Sequence, residues 1–417
     1  MKKWIALLLA AALLTGTGAA LSGCTAAQAE SLSSTTQSLV ETLSAASSDS
    51  SETAATSSAA TASGTSSDSL LDTGSVFTSR DLEQTADTAD AVTYTVEDGR
   101  DITITEEGVY VITGTASDCT IYVNADDTAK VQLVLDGVSI TNTDAPAIYV
   151  VSADKCFVTT TDCENTLAVT GTFAADGETN LDAVIFSKAD LTLNGAGTLT
   201  IASTANGVTS KDDLRVTGGT YSITAGKHGL EGKDSIAISG GTFAIEASED
   251  GLHSENADDA SLGWVYISGG VFQITAGDDG VHSTTVAQID GGELTITAAE
   301  GIEGTSIQIN DGTISIEASD DGINAAAKSA EYDVVIELNG GTITIVMGSG
   351  DTDAVDANGS IYVNGGTIDI TASSAFDYDV SGELNGGTVT VNGSQITEMT
   401  NSMPGGMGGM GGKGGRG

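Results

Sequence analysis

The feature of this sequence that most restricts its fold is a repeat in the second half of the chain. A motif of two glycines and a threonine, followed by alternating apolar residues, returns roughly every 22 residues. Its second glycine falls at Gly197, Gly219, Gly241, Gly270, Gly292, Gly312, Gly341, Gly366 and Gly387. A unit repeated at a fixed period stacks on its own neighbours, because a single copy cannot bury its apolar face alone.

The alternation after each motif predicts β-strands, since successive side chains of a strand point to opposite faces. Pairs such as Ile245 with Phe243 and Ile316 with Ile314 occupy equivalent places in successive copies. The composition agrees, with 53 Gly, 2 Pro and 4% aromatic residues. We therefore predict an all-β fold, a parallel β-helix (solenoid) with about 22 residues and three short strands per rung, whose longer copies carry loops.

The flanking regions divide the chain further. We predict a lipoprotein signal peptide over 1–23, a disordered Ser/Thr/Ala-rich tether over 24–70 and a strand-rich region over 71–175. The period of 71–175 is irregular, so it forms either degenerate early rungs or a cap over the open end of the helix. The regular helix is predicted over 176–397, and a disordered Gly/Met-rich tail over 398–417.

The N-terminal residues have the sequence features of an export signal. Two lysines precede an apolar stretch too short to span a bilayer, and Leu21-Ser22-Gly23-Cys24 closes it. That tetrapeptide resembles a bacterial lipobox, in which the cysteine becomes lipidated. We therefore expect lipidation of Cys24, an extracytoplasmic location on the cell membrane or cell surface, and contact with the membrane through the N-terminal lipid only.

The charge excludes two classes of partner. With 58 acidic against 14 basic residues the formal net charge is −44. Such a surface repels nucleic acid and anionic lipid. The remaining question is whether the acids are scattered or placed in register.

The acids recur in step with the glycine motif, in a turn of the form Asp-Gly-aliphatic-X. The glycine of this turn is explained by a left-handed corner. The leading and fourth positions supply the candidate metal ligands Asp250, Asp279, Glu300, Glu303, Asp321, Asp353 and Asp356. Rungs stack about 4.8 Å apart, so these carboxylates would repel one another, and a divalent cation with oxygen ligands would relieve the repulsion. Outside the cell that cation is Ca²⁺.

Two other sets of residues carry weaker signals. His253 and His282 fall at the fourth position and are read as solvated turn residues. Cys119, Cys156 and Cys163 allow one disulfide, whose pairing the sequence leaves open.

Two of the longer copies place their insertions after the acidic turn, at 254–263 and 325–333. Both loops would leave from one corner, about 14 Å apart, with the acidic turns between them as a shallow groove. Trp264, Tyr266 and Tyr332 lie at the ends of these loops and are candidates for stacking on sugars. Packing that anchors the loops is the alternative for Trp264.

The region from 81 to 400 resembles a bacterial family of calcium-binding carbohydrate-binding domains found in cell-surface proteins. The matching segments include ITITEEGVYVITGT, VQLVLDGVSITNTDAPAIYV, KADLTLNGAGTLTI and the repeated turns. The resemblance implies a right-handed parallel β-helix similar to polysaccharide lyases, and binding of cellulose-like and acidic (pectic) glycans without catalysis.

We therefore expect a non-catalytic, calcium-dependent polysaccharide-binding surface lipoprotein. One alternative is a calcium-dependent polysaccharide lyase or pectinase-like hydrolase on the same fold; the lack of basic neighbours around the acidic turns argues against the lyase. A second alternative is an adhesin or structural stalk.

Overall fold

The computed structural model describes residues 69–349 and 352–401. Apart from a short 3₁₀ turn (Thr73–Ser75), the regular elements of these residues are β-strands. The first eighteen are β1 (Val92–Thr95), β2 (Ile102–Ile104), β3 (Gly108–Ser117), β4 (Ile121–Asn124), β5 (Lys130–Asn142), β6 (Ile148–Ser152), β7 (Lys155–Thr160), β8 (Glu164–Val169), β9 (Ala183–Ser187), β10 (Asp190–Gly195), β11 (Thr198–Ser203), β12 (Asn206–Ser210), β13 (Asp213–Val216), β14 (Thr220–Ala225), β15 (Leu230–Gly232), β16 (Ser235–Ile238), β17 (Thr242–Ala247) and β18 (Leu252–Ser254).

The remaining strands follow the same order through the C-terminal half. They are β19 (Trp264–Ile267), β20 (Val271–Ala276), β21 (Asp279–Ser283), β22 (Val286–Ile289), β23 (Glu293–Ala298), β24 (Glu300–Gly304), β25 (Ser306–Ile309), β26 (Thr313–Ala318), β27 (Ile323–Ala325), β28 (Val335–Leu338), β29 (Thr342–Met347), β30 (Asp353–Ala357), β31 (Ser360–Val363), β32 (Thr367–Thr371), β33 (Ser374–Tyr378), β34 (Ser381–Leu384), β35 (Thr388–Val391) and β36 (Ser394–Ile396).

The strands form three parallel ladders that run the length of the molecule. The first ladder is β1, β3, β5, β8, β11 and every third strand to β35; the second is β2, β4, β6, β9, β12 and every third strand to β33; the third is β7, β10 and every third strand to β34. The long strand β5 pairs with both β7 and β8, so the first and third ladders form one sheet. The predicted all-β parallel β-helix is confirmed.

Equivalent apolar residues stack inside the helix. Ile245 pairs with Ile274, and the same inward line continues through Ile296, Ile316, Ile345 and Ile370. Each of these side chains is at most 1% exposed. Beside them Tyr221, Phe243 and Phe272 stack with ring centroids 5.2 and 4.6 Å apart. The predicted inward ladders are therefore present.

The irregular region near the N-terminus joins the same ladders. β3 pairs in parallel with β5, and β4 with β6, so the strands between 92 and 169 coil with the rest of the helix. The last strand, β36, instead turns back antiparallel on β35.

The glycines of the repeat motif and the glycines of the acidic turn have different physical roles. From Gly219 onward, the second glycine of the repeat motif has a positive φ, 115° at Gly241, which favours glycine. The glycine of the acidic turn does not have a positive φ. A Cβ on Gly251 would instead lie 2.6 Å from the carbonyl oxygen of Gly280 in the next rung. The left-handed explanation for the acidic-turn glycine is therefore wrong: that glycine allows close approach of neighbouring backbones.

A segment at the N-terminus, residues 69–84, crosses the outside of the third ladder; we call it the N-terminal strap. The Leu71 amide donates to Gln288 on β22, and Phe77 packs 6.3 Å from the ring of Tyr266 on β19. Further along, Asp81 of the strap contacts β10, and Gln84 contacts Thr217, which directly follows β13. It thus spans several rungs and covers outward side chains of this ladder.

The predicted signal peptide, the lipidation site Cys24, the tether before residue 69 and the tail after residue 401 lie outside the described residues. Ser69 and Leu70, assigned to the tether, contact Gln288 and Gln308 instead. Within the described residues, no helix has the length and apolarity that crossing a membrane requires. Cys119 and Cys156 are buried free thiols.

Candidate functional site

One outward line of side chains follows the second ladder from end to end; we call it the outer column. Alternate residues of a strand face outward, and equal positions stack when strands pair in parallel. The column therefore brings together residues that are distant in sequence. Its members are Thr103, Tyr122, Tyr149, Phe186, Thr209, Glu231, His253, His282, Glu303, Asn324, Asp356 and Asp377.

A second line, the leading column, runs beside it at the start of the same strands. It consists of Asn206, His228, Asp250, Asp279, Glu300, Asp321 and Asp353. At several rungs the side chain accepts a hydrogen bond from the next rung's backbone: Asp250 Oδ1 accepts from the Asp279 amide at 2.9 Å, and Asp321 Oδ1 from the Asp353 amide at 3.1 Å. This position therefore requires a hydrogen-bond acceptor, which Asp, Asn and His all provide.

The two columns gather the predicted ligands into one acidic ridge. Asp279, Glu300 and Glu303 offer oxygens that all lie within 4.8 Å of one another. Asp353 and Asp356 share strand β30, and Asp356 pairs in register with Asn324 and Asp377 of the adjacent rungs. The stacking of carboxylates that the repeat predicted is present in the structure.

Basic side chains neutralise the N-terminal half of this ridge. His282 Nδ1 lies 2.7 Å from Asp279 Oδ2 and 2.9 Å from Glu303 Oε2, and Lys328 Nζ lies 2.8 Å from Glu303 Oε1. Burial disfavours the charge on His282, yet Asp279 and Glu303 raise its pKa to about 10. Burial likewise opposes ionisation of Glu303, but hydrogen bonds from His282 and Lys328 lower its pKa to about 2.

Asp279 and Asp250 differ although they are adjacent in the leading column. Burial and the neighbouring carboxylates of Asp250 and Glu303 raise the pKa of Asp279, against the hydrogen bond from His282. Burial also acts on Asp250, but hydrogen bonds from His228 and His253 hold its pKa below its usual range. In two neighbouring rungs, the pKa values of these carboxyl groups are therefore shifted in opposite directions.

The C-terminal half of the ridge has a different electrostatic environment. Among the ion pairs of the described residues, none involves Asp321, Asp353 or Asp356. Burial, with neighbouring carboxylates adding to it, raises the pKa of Asp321 to about 6 and that of Asp356 to about 7. Buried oxygens of Asn324, Thr352 and Asp377 have no hydrogen-bond partner. This half combines uncompensated charge with unsatisfied oxygen atoms.

The histidines of the ridge are not solvated, contrary to expectation. The side chains of His228, His253 and His282 are 16%, 13% and 14% exposed. Their rings stack in a row, with centroids 4.0 and 4.8 Å apart. The ring of His253 is covered on both faces by the other two, and the low exposure of all three makes them fixed components of the ridge.

The two insertion loops meet each other, so the predicted open groove between them is wrong. Ser329 Oγ of the second loop donates to the Ala260 carbonyl of the first at 2.7 Å. Lys328 reaches Glu303, and Glu255 Oε2 lies 3.5 Å from His253 Nε2. The loops are long enough to bridge the intervening rungs, and they form one wall along a side of the ridge.

The three candidate sugar-stacking aromatics are not equally available. Tyr266 is 6% exposed and lies under Phe77 of the strap, so a sugar cannot reach it in this structure. Trp264 is half-buried, with the guanidinium of Arg215 5.4 Å from its ring centroid. Tyr332 is half-buried in the second loop, and its hydroxyl lies 3.5 Å from the Ser261 carbonyl.

Sequence reasoning missed the aromatic end of the outer column. The rings of Tyr122, Tyr149 and Phe186 follow one another at 5.7 Å spacings. Tyr149 and Phe186 are buried, whereas Tyr122 is partly exposed. The repeated Ile-Tyr-Val at 121–123 and 148–150 was the available signal, but the loop at 170–182 breaks the period before Phe186.

Comparison with known proteins gives three findings. A family model described as carbohydrate-binding domain-containing protein matches residues 98–377. A protein of that same description from Acetivibrio thermocellus is 37% identical over 124 residues, which are 29% of this chain and 43% of that relative. The match therefore spans less than half of the relative's length. A solved structure, the polysaccharide lyase-like protein from C. thermocellum as a gadolinium derivative, is 31% identical with a TM-score of 0.49, covering 51% of this chain and 92% of its own.

Proposed function

We propose that this chain, which belongs to the carbohydrate-binding domain-containing protein family, is a non-catalytic, calcium-dependent polysaccharide-binding lipoprotein of the cell surface. One observation carries the proposal: the outer and leading columns form a continuous ridge of in-register polar, acidic and aromatic side chains along the helix. A row of side chains repeated about every 4.8 Å offers equivalent contacts to an extended chain laid across the rungs. Plant-cell-wall-type or acidic glycans are extended chains of this kind.

Calcium fits the C-terminal half of the ridge best. Ca²⁺ takes six to eight oxygen ligands from carboxylates, amide carbonyls and water. Asp321, Asp353 and Asp356 supply carboxylates there, and the unpartnered oxygen of Asn324 lies in register with Asp356. A bound cation would lower the raised pKa values of Asp321 and Asp356 and could also bridge to the carboxylates of an acidic glycan. Glu300 and Glu303 would extend the ligand set toward the N-terminal half.

Catalysis by Asp279 and Glu303 is disfavoured by the pairing of these acids with basic side chains. Glycosidases use two carboxylates about 5–5.5 Å or about 6.5–9.5 Å apart, with sugar or water between them. Asp279 and Glu303 instead converge on His282, with oxygens 2.7 and 2.9 Å from its Nδ1. Lys328, the lysine beside the ridge and the candidate for a lyase base there, is paired with Glu303. These groups are therefore engaged with one another in ion pairs.

The aromatic contribution is proposed at Trp264 and Tyr332, with Tyr122 at the far end of the outer column. Half-buried rings retain one face or edge for a sugar while the other packs on the protein. Tyr266 would contribute only if the strap moved. The lipid anchor on Cys24 would hold this surface outside the cell, with no further membrane contact.

A sedimentation assay with pectin and with cellulose tests the function. We expect the protein to pellet with at least one polysaccharide in Ca²⁺ and to lose at least tenfold affinity in chelator. The double variant Asp353→Asn, Asp356→Asn should lose the same affinity in Ca²⁺. Asp369→Asn, an exposed acid on β32 away from the ridge, is the matched control.

The same assay separates the alternatives. New reducing or unsaturated ends in the supernatant would mean a hydrolase or a lyase. The absence of binding to either polysaccharide would favour an adhesin or stalk, and binding unchanged by chelator would remove calcium from the proposal. Mass spectrometry of the membrane-extracted N-terminal peptide tests the lipid on Cys24.

A further inference from the structure

The outer face of the third ladder carries another row of in-register side chains, part of which lies beneath the N-terminal strap. We call that part the covered row. Its members include Phe157, Thr192, Arg215, Tyr266, Gln288 and Gln308. These six side chains face outward, yet none is more than 6% exposed. The row continues past the strap as Glu337 and Tyr362, which are half-buried.

The strap gives the covered row polar partners through its own backbone. The Leu71 amide donates to Gln288 Oε1 at 3.0 Å, and Arg215 Nε donates to the Val76 carbonyl at 3.0 Å. A sugar hydroxyl both donates and accepts hydrogen bonds, as a hydroxyl side chain does. A glycan laid along the row can therefore take over these contacts when the strap leaves.

One carboxylate of the strap fills a buried polar pocket at the N-terminal part of the row. Asp81 Oδ1 accepts from Lys155 Nζ at 3.0 Å and from Thr192 Oγ1 at 2.7 Å. Lys155 is 9% exposed and Thr192 is fully buried. In a chain with a formal net charge of −44, this pocket presents a cation to a carboxylate. An acidic glycan matches the pocket, because a sugar carboxylate accepts the same charge-assisted hydrogen bonds.

An aromatic ring farther along the row has its outer face against the strap. Phe77 lies 6.3 Å from Tyr266, measured between ring centroids. A tyrosine ring offers an apolar face on which the apolar face of a sugar packs as well as a phenyl ring does. The covered row thus combines a carboxylate pocket, amide and guanidinium groups and an aromatic platform along one line.

The strap is held with little buried surface of its own. Asp81 is the one buried residue between 69 and 84, and Leu82 is 50% exposed. The strap adds no strand to the ladders, and residues 85–91, which join it to β1, are exposed or half-buried. Segments with few buried apolar contacts open at a low cost in free energy. The strap can therefore leave the covered row without unfolding a rung.

We propose that the N-terminal strap is an autoinhibitory cover, and that the covered row binds an acidic glycan whose carboxylate takes the place of Asp81. The proposal rests on the proposed function, because it takes a polysaccharide as the ligand, but it does not use the calcium ligands of the ridge. The strap and the glycan compete for the row. The apparent affinity of the row is therefore its intrinsic affinity reduced to the fraction of molecules whose strap is undocked.

Affinity electrophoresis with polygalacturonate in chelator tests the row apart from calcium. We expect Asp81→Asn to bind roughly tenfold tighter than the wild type, because more molecules have an undocked strap. Faster amide hydrogen exchange over 69–84 reports that undocking. A neutral glucan in the gel should show no such gain, since it has no carboxylate for the pocket.

Two further substitutions locate the binding surface. Adding Tyr266→Ala to Asp81→Asn should remove the gain, although it also takes away a strap contact. Adding Thr344→Ala is the matched control and should leave the gain, because Thr344 faces outward from β29 in the first ladder. If Asp81→Asn alone leaves the exchange over 69–84 unchanged, the double variant Phe77→Ala, Asp81→Asn removes a second strap contact for the same measurement.

Several outcomes would overturn the proposal. They are an undocked strap without tighter polygalacturonate binding, a gain that survives Tyr266→Ala, an equal gain with the neutral glucan, and a strap that stays protected in both variants. Calcium-dependent binding by the wild type without any gain in Asp81→Asn would remove this proposal alone. A gain in chelator without calcium-dependent binding by the wild type would instead remove calcium from the proposed function and leave the covered row.

Discussion

Gly251 follows the buried Asp250 and has no room for a side chain. A Cβ there would lie 2.6 Å from the Gly280 carbonyl oxygen and 2.5 Å from Cγ2 of Ile274. We expect Gly251→Ala to lower the free energy of unfolding by about 1–3 kcal/mol, since a packed interior must shift to admit the methyl group. Denaturant unfolding measures the loss.

Gly74→Ala is the control for this variant, because its Cβ would meet an Asp72 oxygen at an ordinary 3.5 Å. Equal stability of Gly251→Ala and Gly74→Ala would show that the rungs can separate locally. The close-approach explanation for the acidic-turn glycines would then be lost.

Asp356 illustrates the cost of stacking carboxylates without a counter-charge. Burial, then Asp321 and Asp377, raise its pKa. We expect Asp356→Asn to stabilise the chelated protein by roughly 1 kcal/mol, the repulsion of one charge about 4.8 Å away in water, while weakening Ca²⁺ binding. Thermal melts with chelator and with Ca²⁺ give both effects, against Asp369→Asn as control. Destabilisation in chelator would contradict the repulsion argument.

At the scale of elements, one buried carboxylate, that of Asp81, anchors the middle of the N-terminal strap. Asp81 is fully buried; its Oδ1 accepts from Lys155 Nζ at 3.0 Å and from Thr192 Oγ1 at 2.7 Å. Burial opposes its ionisation, but these hydrogen bonds and those from Thr78 lower its pKa. The strap is therefore docked by an ionised group whose partners belong to β7 and β10.

We expect Asp81→Asn to cost about 1–3 kcal/mol, because the largely buried Lys155 loses its nearer carboxylate and keeps only Asp190, 3.8 Å away. The loss should appear first in the strap, as faster amide hydrogen exchange over 69–84 and easier proteolysis there. Glu97→Gln, in an exposed pair with Arg100, should change neither. Unchanged exchange over 69–84 in Asp81→Asn would show that the other strap contacts suffice.

At the scale of the whole molecule, the ridge makes stability depend on pH. Burial is the main cause that raises the pKa values of three ridge acids. The pKa is raised to about 7 for Glu300 and for Asp356, and to about 6 for Asp321. Folding therefore favours the protonated acids. The contribution of these acids to the free energy of unfolding is fully present below their ordinary pKa near 4. It is lost as the pH rises through about 6–7.

We predict that the melting temperature of the chelated protein falls between pH 5 and pH 8, and that Ca²⁺ restores it most at the higher pH. Asp356→Asn should reduce the slope in chelator. A melting temperature that is flat or rising over this interval in chelator would contradict the raised pKa values.

Features that depend on the short repeat can be predicted from the sequence, whereas contacts between residues outside the repeat cannot. The inward line through Ile245, Ile296 and Ile316 follows from the period and the alternation alone, because strand geometry converts both directly into stacking. The acidic register of Asp279, Asp321 and Asp353 follows in the same way. The meeting of the two loops does not, since Ser329 and Ala260 lie outside the repeat and their conformation depends on contacts between rungs.

The sequence by itself determined the coil, its core and the alignment of carboxylates, because these depend on a local period. Only the tertiary structure decided how those carboxylates are compensated: His282 and Lys328 reach Glu303 from other rungs and from a loop. It also placed the strap over Tyr266 and the rings of Tyr122, Tyr149 and Phe186 in the same column as the acids. These contacts join residues separated by irregular insertions, so no period in the chain specifies them.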